Sequence, residues 1–125
     1  MSEIISREKV TNLSEAIIFG IQEKKGKDIC VLDLRHLENP SCDYFIICSG
    51  DSSTHVKAIA ESVSEETRKL LNDKPWHIEG LENSEWILLD YVNIVVHVFL
   101  PHVRDFYNIE ELWADAKIKV YQNIE

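Results

Sequence analysis

The sequence predicts an α/β fold, with one mixed sheet of about five strands and helices mainly on one face. Three observations support this class. Two long segments carry apolar residues at helical spacing, several short runs are rich in β-branched and aromatic residues, and the two kinds of segment alternate along the chain. Each long helix has a single apolar stripe, so both are expected to cover the same sheet face and leave the other face thinly covered.

The first half of the chain predicts a helix, two strands and a second helix. One helix face carries Val10, Leu13, Ile17 and Ile21. Gly26, which follows two lysines, is expected to end this helix in the left-handed conformation. The strands are the apolar runs 28–34 and 43–50, and the loop between them contains the Asn39-Pro40 break.

The second helix is expected to begin at a Ser or Asp of the polar turn 49–53, because short polar side chains cap helix N-termini. Its apolar stripe consists of Val56, Ile59, Ala60, Val63, Leu70 and Leu71, with Thr67 in one core-facing slot.

The second half of the chain predicts three more strands and short C-terminal helices. Segment 76–80 is a short strand, and segment 86–99, WILLDYVNIVVHVF, is a hairpin. Pro101 is well placed to start a short helix, and Asn108 with Glu111 resembles a capping box for a last helix that extends to Ala116. The predicted order is αββαβββα, and with no repeat or long linker, residues 1–125 are expected to form a single domain.

Charge and composition restrict the class of partner. The 125 residues include 22 Asp and Glu but only 13 Lys and Arg, which gives a formal net charge of -9. This field repels phosphate backbones and disfavours nucleic-acid binding, and it speeds encounter with a basic protein. The 45% hydrophobic content is ordinary for a globular fold.

The cellular compartment is predicted from three features. Cys30, Cys42 and Cys48 lack Cys-x-x-Cys spacing, which indicates buried thiols in a reducing compartment. The first ten residues lack the apolar region of a signal peptide and contain two glutamates, unlike a transit peptide. No apolar run approaches membrane-spanning length, so we expect a cytoplasmic protein that does not bind membranes.

The hairpin carries the candidate site. A two-residue turn at Val92-Asn93 pairs Trp86 with Phe99 and Leu88 with His97. Because side chains alternate across a strand, one face is expected to join the core: Ile87, Leu89, Tyr91, Ile94, Val96 and Val98. The opposite face collects Trp86, Leu88, Asp90, Val95, His97 and Phe99.

This opposite face is expected to contact solvent or a partner. Burying an uncompensated polar group costs about 2–7 kcal/mol, and the face holds both a carboxylate and an imidazole. Aromatic residues beside polar groups are typical of an anchor patch for another protein. The alternative is that the C-terminal helices fold back over these residues and that His97 is a satisfied core histidine.

Enzymatic alternatives find little support. Strand 43–50 with its Ser-rich turn is similar to the phosphate-binding signature of nucleotidyltransferases, but the paired carboxylates that hold Mg²⁺ are absent and Asp90 stands alone. A nucleophile set of Cys48, His97 and Asp90 is a second alternative, although nothing in the sequence brings the three together. The other histidines lack zinc-binding spacing: His36, His55, His77 and His102. We therefore predict a protein that is not an enzyme and holds no metal or cofactor.

Five ordered blocks resemble the Iojap-related ribosomal silencing factors. They span most of residues 10–118 and read DYFIICSG, SSTHVKAIAESV, Glu79-Gly80, WILLDYVNIVVHVF and FYNIEELWADA. The resemblance implies a nucleotidyltransferase-like topology without known catalysis. It also implies a translational repressor that binds the large ribosomal subunit at the universal large-subunit protein number fourteen and sterically blocks joining of the small subunit. A role in large-subunit maturation, or a degenerate nucleotide-binding protein, remains open as an alternative.

The resemblance also implies a homodimer in isolation, and its sequence pattern on the hairpin matches Trp86, Asp90, Tyr91, His97 and Phe99. Together with Leu88 from the hairpin face opposite the core, these are the predicted partner-binding residues: Trp86, Leu88, Asp90, Tyr91, His97 and Phe99. One departure affects the hairpin itself. Relatives commonly have Gly-Asp where this chain has Val92-Asn93, and a β-branched residue is poor at positive φ. A one-residue slip at this turn would separate Trp86, Asp90 and His97.

Overall fold

The computed structural model describes residues 4–38, 40 and 42–124. After a 3₁₀ turn at Arg7–Lys9, the elements are α1 (Leu13–Glu23), β1 (Lys27–Asp33), β2 (Tyr44–Ser49), α2 (Ser53–Leu71), β3 (His77–Glu79), β4 (Trp86–Asp90), β5 (Ile94–Phe99), α3 (Pro101–Tyr107), α4 (Ile109–Leu112) and β6 (Lys117–Val120). No helix in this part of the chain is long and apolar enough to span a bilayer.

The strands form one mixed sheet in the order β3-β4-β5-β2-β1-β6. The central pair β2 and β5 is parallel, and the other four pairs are antiparallel. The predicted α/β class and mixed sheet are confirmed, whereas the nucleotidyltransferase-like topology stays an interpretation. Among the described residues the sheet has six strands instead of five, because β6 pairs with β1 through Val120 and Cys30.

The helix boundaries follow from capping. Ser52 Oγ accepts a hydrogen bond from the His55 N–H at 3.1 Å, which confirms a serine cap at the start of α2. Helix α1 starts later than predicted, after Asn12, whose side chain accepts from the Glu15 N–H at 2.9 Å, and Val10 lies before it. The left-handed residue at the end of α1 is Lys25, with φ of 57°, and not Gly26 as predicted.

The two long helices lie together on one sheet face, as predicted. The core-facing side of the hairpin is buried there as expected, with Ile87, Leu89, Val96 and Val98 fully inaccessible and Tyr91 and Ile94 nearly so. Tyr91 closes this core against α2, because its hydroxyl lies 2.9 Å from the hydroxyl of the buried Thr67. Burial raises the pKa of Tyr91 to about 12.

A second apolar cluster covers the other sheet face. Leu32, Phe45, Ile47 and Phe99 lie beneath α3, α4 and the segment that follows them. Partly buried side chains from these elements pack on the cluster: Val103, Ile109 and Trp113. The cover is thin, because neither short helix has a buried residue of its own.

The hairpin has the predicted register, with Trp86 opposite Phe99 and Leu88 opposite His97. The one-residue register slip that a β-branched residue at this turn made conceivable does not occur. Val92 adopts a φ of 75°, and the Asn93 N–H donates to the Tyr91 carbonyl at 3.0 Å, which together form a γ-turn of the rare positive-φ form. The Asp90 carboxylate accepts from the Val92 N–H at 2.7 Å and holds this turn.

The C-terminal helices are shorter than predicted. Pro101 starts α3 as expected, but α4 is a single turn that ends at Leu112 instead of continuing to Ala116. The Asn108 side chain accepts no hydrogen bond from a backbone N–H of α4, so it does not cap this helix in the predicted way. It takes a left-handed φ of 46°, and its side-chain amide donates to the Glu111 carboxylate at 2.6 Å. The Asn39 half of the predicted Asn-Pro break lies outside the described residues.

Candidate partner-binding surface

An exposed aromatic group lies where β4 meets α3. Trp86 stacks on Phe99 with ring centroids 4.8 Å apart, and Tyr107 of α3 lies at the same distance on the indole. Phe106 is 80% exposed and Tyr107 is 50% exposed, while Trp86 is half-buried. We call Trp86, Phe106 and Tyr107 the aromatic surface. Exposed aromatic side chains grouped in this way are typical of protein interfaces.

A groove of about 400 Å³ opens beside the aromatic surface. Its lining combines the three aromatic residues with polar ones: Gly80, Asn83, Glu85 and His102, together with Val103. Gly80 shapes one wall, because its φ of 92° disfavours other residues and a Cβ at this position would clash with the Trp86 carbonyl oxygen. The groove therefore offers aromatic faces and one carboxylate, a combination suited to apolar or cationic side chains.

His97 is buried, contrary to the expectation that it faces solvent or a partner. It is only 5% exposed, and its ring lies against Phe45 at a centroid distance of 4.8 Å. Its Nδ1 accepts from the Trp86 indole N–H at 3.1 Å, so the ring proton resides on Nε2. Nε2 has no hydrogen-bond partner among the described residues, and burial lowers the pKa of His97 from 6.5 to about 4.

Two more predicted partner residues are buried. Phe99 is fully inaccessible beneath α3 and Trp86, and Tyr91 is on the opposite sheet face at 7% exposure. The alternative, in which the C-terminal helices fold back over these residues, is therefore correct for their burial. It is not correct for a satisfied His97, because Nε2 of this ring has no hydrogen-bond partner among the described residues. The physical reason is that Phe99 shares its face with apolar residues of β1 and β2, which require a cover. Trp86, Leu88 and Asp90 remain half-exposed.

Arg104 attaches α3 to the sheet and was not singled out from the sequence. Its guanidinium donates to Glu110 at 2.8 Å and to the Ser49 hydroxyl at 2.9 Å, and it lies 3.7 Å from the Cys30 sulfur. Burial would lower the pKa of Arg104, but the Glu110 carboxylate outweighs it and the net shift is upward. No specific sequence signal marks this role, because Arg104 lies among both polar and apolar residues in the segment PHVRDFY.

The nucleophile set considered from the sequence is not assembled. Cys48 packs in the cluster beneath α1 and α2, whereas His97 points to the opposite sheet face. Burial raises the pKa of Cys48 to about 12 and that of Cys30 to about 11, so both thiols stay protonated and unreactive. All three cysteines are buried, as predicted, and none forms a disulfide within the described residues. Within the described ranges, no group of three or more metal-ligating side chains is found.

His55 has a structural role at the start of α2. Its Nδ1 accepts from the Asp51 N–H at 2.8 Å, so its Nε2 carries the proton and donates to the Lys24 carbonyl at 2.7 Å. The ring therefore joins the start of α2 to the end of α1.

Comparison with known proteins identifies the family. The family model described as "Ribosomal silencing factor during starvation" matches residues 7–125. The ribosomal silencing factor RsfS of Chromobacterium violaceum is 39% identical over 109 residues, which cover 87% of this chain and 88% of the relative. A mouse protein named mitochondrial assembly of ribosomal large subunit protein 1 is 32% identical over 102 residues, which cover 80% of this chain and 44% of the mouse protein.

The fold is shared with a crystal structure of a Chromobacterium violaceum protein. The TM-score is 0.76 at 38% sequence identity, and the match covers 90% of this chain and 88% of the other. These matches agree with the resemblance carried by the five sequence blocks. Since the family model covers nearly the whole chain, the protein belongs to the family of ribosomal silencing factors.

Proposed function

We propose that this protein represses translation in the cytoplasm by binding the large ribosomal subunit and sterically blocking small-subunit joining. Family membership supports the ribosomal role, and the mechanism follows the resemblance described above. The observation that carries the proposal is the aromatic surface, where the exposed Phe106 and Tyr107 lie with the half-buried Trp86 beside a groove. The role requires no reaction, so we propose a binding protein and not an enzyme.

The partner proposed on the large subunit is the universal large-subunit protein number fourteen, a basic ribosomal protein. A net charge of -9 attracts such a partner and repels the surrounding rRNA, so the field favours contact with protein over contact with phosphate. A stable interface buries about 800 Å² on each partner. The protein exposes 7223 Å², so such a contact uses only a small part of its surface.

The six predicted partner residues divide into two groups in this proposal. Trp86, Leu88 and Asp90 are accessible and make contacts with the partner. The buried residues His97 and Phe99 support them from behind, because His97 fixes the indole N–H and Phe99 stacks beneath the indole ring. Tyr91 acts at a greater distance by holding the hairpin to α2.

Replacing Trp86 by Ala is expected to abolish co-sedimentation with purified large subunits, because a buried aromatic anchor carries ~2 kcal/mol or more of binding free energy. Since Trp86 also packs inside the molecule, Phe106→Ala is the parallel test: this side chain is 80% exposed and its removal leaves the fold intact. Val120→Ala, at the far edge of the sheet, is the matched control and should sediment like wild type. Unchanged co-sedimentation of both aromatic variants would refute this surface.

Blocked joining is tested in the same gradient by adding small subunits. The expected result is a loss of joined ribosomes in proportion to the protein bound, and a weaker effect with Phe106→Ala. Joined ribosomes that still carry the protein would contradict steric exclusion.

A role in large-subunit maturation is the second candidate, favoured by the printed name of the mouse relative, which describes large-subunit assembly. It predicts that cells without the protein accumulate incomplete large subunits during growth in rich medium. Repression alone predicts that cells without the protein contain normal large subunits in rich medium. Such cells would show a defect in the control of translation only when nutrients are short.

The resemblance implies a homodimer in isolation, and we propose that its two copies associate through the aromatic surface. Light scattering of wild type beside Phe106→Ala tests this arrangement. The variant should be monomeric if the surface is shared between the two copies and the ribosome, and dimeric if the copies associate elsewhere.

A further inference from the structure

Strand β6 leaves one edge of the sheet open. It is the last strand in the sheet order, so in the described part of the chain no strand pairs with its outer side. All four of its residues, Lys117–Val120, are exposed. Three strands lie between β6 and β4, which separates this edge from Trp86 by about 20 Å at ordinary strand spacing. The edge is therefore distinct from the aromatic surface and shares no residue with it.

The backbone groups that point outward from β6 belong to Ile118 and Val120. The Tyr121 N–H donates to the Ile29 carbonyl at 3.0 Å, which identifies this pair as one joined by hydrogen bonds. Along an antiparallel ladder, such pairs alternate with pairs that are not joined by hydrogen bonds. In the observed register, Ile118 and Val120 fall in pairs of the second kind. Their N–H and C=O groups are therefore directed away from β1, toward the position of an added strand.

The apolar side chains of β6 lie on one sheet face and are only half covered. Ile118 and Val120 are each 52% exposed. Their partners on β1, Leu32 and Cys30, place them on the face beneath α3 and α4. Neither of the two belongs to an apolar cluster of the described residues. The cover formed by α3 and α4 therefore does not extend to this edge, and apolar surface remains there for an added strand.

The basic side chains of β6, Lys117 and Lys119, lie on the opposite face beside α1. Lys119 is opposite Val31 of the larger apolar cluster, and both lysines line a groove of about 650 Å³ together with the first turn of α1. The Lys119 ammonium lies 4.9 Å from the centre of the Tyr121 ring, a contact that holds its charge along the edge. An added strand would therefore meet two cations on this face.

The groove also contains carboxylates, but they lie farther from the outer side of β6. Asp33 on β1 is paired with Arg35 at 2.8 Å, Glu15 accepts from Thr11 at the start of α1, and Asp43 precedes β2. At the usual strand spacing, an added strand is about 5 Å from β6, about 10 Å from β1 and about 15 Å from β2. Physiological salt screens charges beyond about 8 Å. The two lysines therefore dominate the field at the added strand, although the net charge of the chain is -9.

A second copy of this chain does not fit the edge. Residues directly opposite in an antiparallel pair share a face, so a twofold pair of β6 strands centres on one residue and its symmetry mate. Only two such centres overlap more than one residue of the strand. Centring on Lys119 sets it against the same residue of the second copy, and centring on Ile118 sets Lys117 against Lys119. Like charges in these positions destabilise a sheet, and edge lysines commonly prevent such pairing.

We propose that β6 is a docking edge, and that its occupant is an extended segment of a protein partner in which acidic residues alternate with β-branched apolar residues. The segment adds a seventh strand, antiparallel to β6. Its acidic side chains pair with Lys117 and Lys119, and its apolar side chains pack on Ile118 and Val120. A nucleic acid has no peptide backbone to continue the ladder. The inference does not depend on the proposed function, because this partner is acidic and binds the other side of the molecule.

The test is a titration of ¹⁵N-labelled full-length protein with the peptide acetyl-Val-Glu-Val-Glu-amide, followed by NMR. We expect saturable shifts of the backbone amide signals of Ile118 and Val120, and slower hydrogen exchange of these two outward N–H groups. The Tyr121 N–H, which is already bonded to β1, should change less. The indole N–H signal of Trp86 should stay in place, since the aromatic surface lies far from β6.

N-methylation of the peptide backbone separates strand pairing from simple attraction of charges. In the proposed register, the two valine N–H groups point toward β6 and the two glutamate N–H groups point away. N-methylation of both valines should raise the dissociation constant by about tenfold or more, because two hydrogen bonds are lost. N-methylation of both glutamates should change it by less than about threefold. All three peptides have the same charge, so equal binding of the valine-methylated peptide would contradict strand addition.

Lys117→Gln tests the charge on the protein and should raise the dissociation constant about threefold, the effect of one exposed charge pair. Lys57→Gln on α2 removes the same charge elsewhere and should leave the constant unchanged. The proposal is wrong if the signals of Ile118 and Val120 do not respond, or if acetyl-Val-Lys-Val-Lys-amide or a thymidine oligonucleotide shifts them equally. It is also wrong if these signals shift on dilution without peptide, which would identify a second copy as the occupant.

Discussion

Val92 holds a backbone conformation that its own side chain disfavours. Its φ of 75° is uncommon for any L-residue and is a marked outlier for a β-branched one. Two hydrogen bonds maintain it, one from the Val92 N–H to the Asp90 carboxylate and one from the Asn93 N–H to the Tyr91 carbonyl. Such strain costs about 1–3 kcal/mol and persists because the paired strands determine the turn.

Val92→Gly should therefore stabilise the protein by about 1 kcal/mol, since glycine adopts positive φ without strain but loses more chain entropy on folding. Urea denaturation of the two proteins measures the difference. Asn93→Gly is the matched control, because Asn93 does not have a positive φ and the same entropy cost brings no relief. A less stable Val92→Gly variant would mean that the valine side chain contributes contacts that outweigh its strain.

His97 gives the folding stability a dependence on pH. Its pKa is about 4 in the folded protein and 6.5 without burial, so below pH 6.5 the unfolded chain takes up a proton that the folded protein does not. The free energy of unfolding that depends on a neutral His97 is fully present above pH 6.5. It is lost as the pH falls from 6.5 to about 4, and below that pH it changes no further. The full loss is about 3 kcal/mol, from about 1.4 kcal/mol per pKa unit.

Denaturation midpoints measured between pH 7 and pH 4 check this dependence. In His97→Asn the amide oxygen keeps an acceptor near the Trp86 indole N–H while the titrating group is removed, so the variant should lose most of this pH slope. An equal slope in the variant would assign the effect to carboxylates instead of His97.

At the scale of elements, the helices and strands that could be predicted are those whose sequence signals lie within the element itself or its adjacent turn. The hairpin register was predictable because two-residue turns and alternating side chains fix each pair, and α2 was predictable from its stripe and its serine cap. Strand β6 was not predictable, since all four residues are exposed and its pairing depends on β1, more than 80 residues earlier. The burial of His97 and Phe99 was equally non-local, because it depends on where α3 and α4 pack.

Arg104 is expected to hold α3 over the sheet, because one guanidinium joins this helix to Ser49 of β2 and to Glu110 of α4. Arg104→Met keeps the apolar part of the side chain and removes these bonds, which should cost about 1–3 kcal/mol. Hydrogen exchange measured by mass spectrometry should show faster exchange in residues 101–112, with no change in α1 and α2. Uniformly faster exchange would instead indicate that Arg104 stabilises the whole domain.

At the scale of the molecule, one sheet face mainly forms the core and the other carries the aromatic surface. The face under α1 and α2 contains the larger apolar cluster and supplies most of the stability. The face under α3 and α4 is thinly covered, and its cover carries the exposed Phe106 and Tyr107. The aromatic surface is therefore built on the less strongly packed layer, supported by the hydrogen bond between Trp86 and His97.

The net charge of -9 is expected to act on the rate of association with large subunits more than on the lifetime of the complex. Raising the salt from about 50 to about 200 mM shortens the screening length, so the association rate constant should fall by roughly tenfold while the dissociation rate changes little. Stopped-flow mixing of labelled protein with purified subunits measures both rates.

Glu85→Gln, in the groove beside Trp86, should slow association more than Glu61→Gln on the opposite layer, although both remove one charge. Equal effects of the two variants would show that the partner approaches through the general field of the molecule, without preference for the aromatic surface.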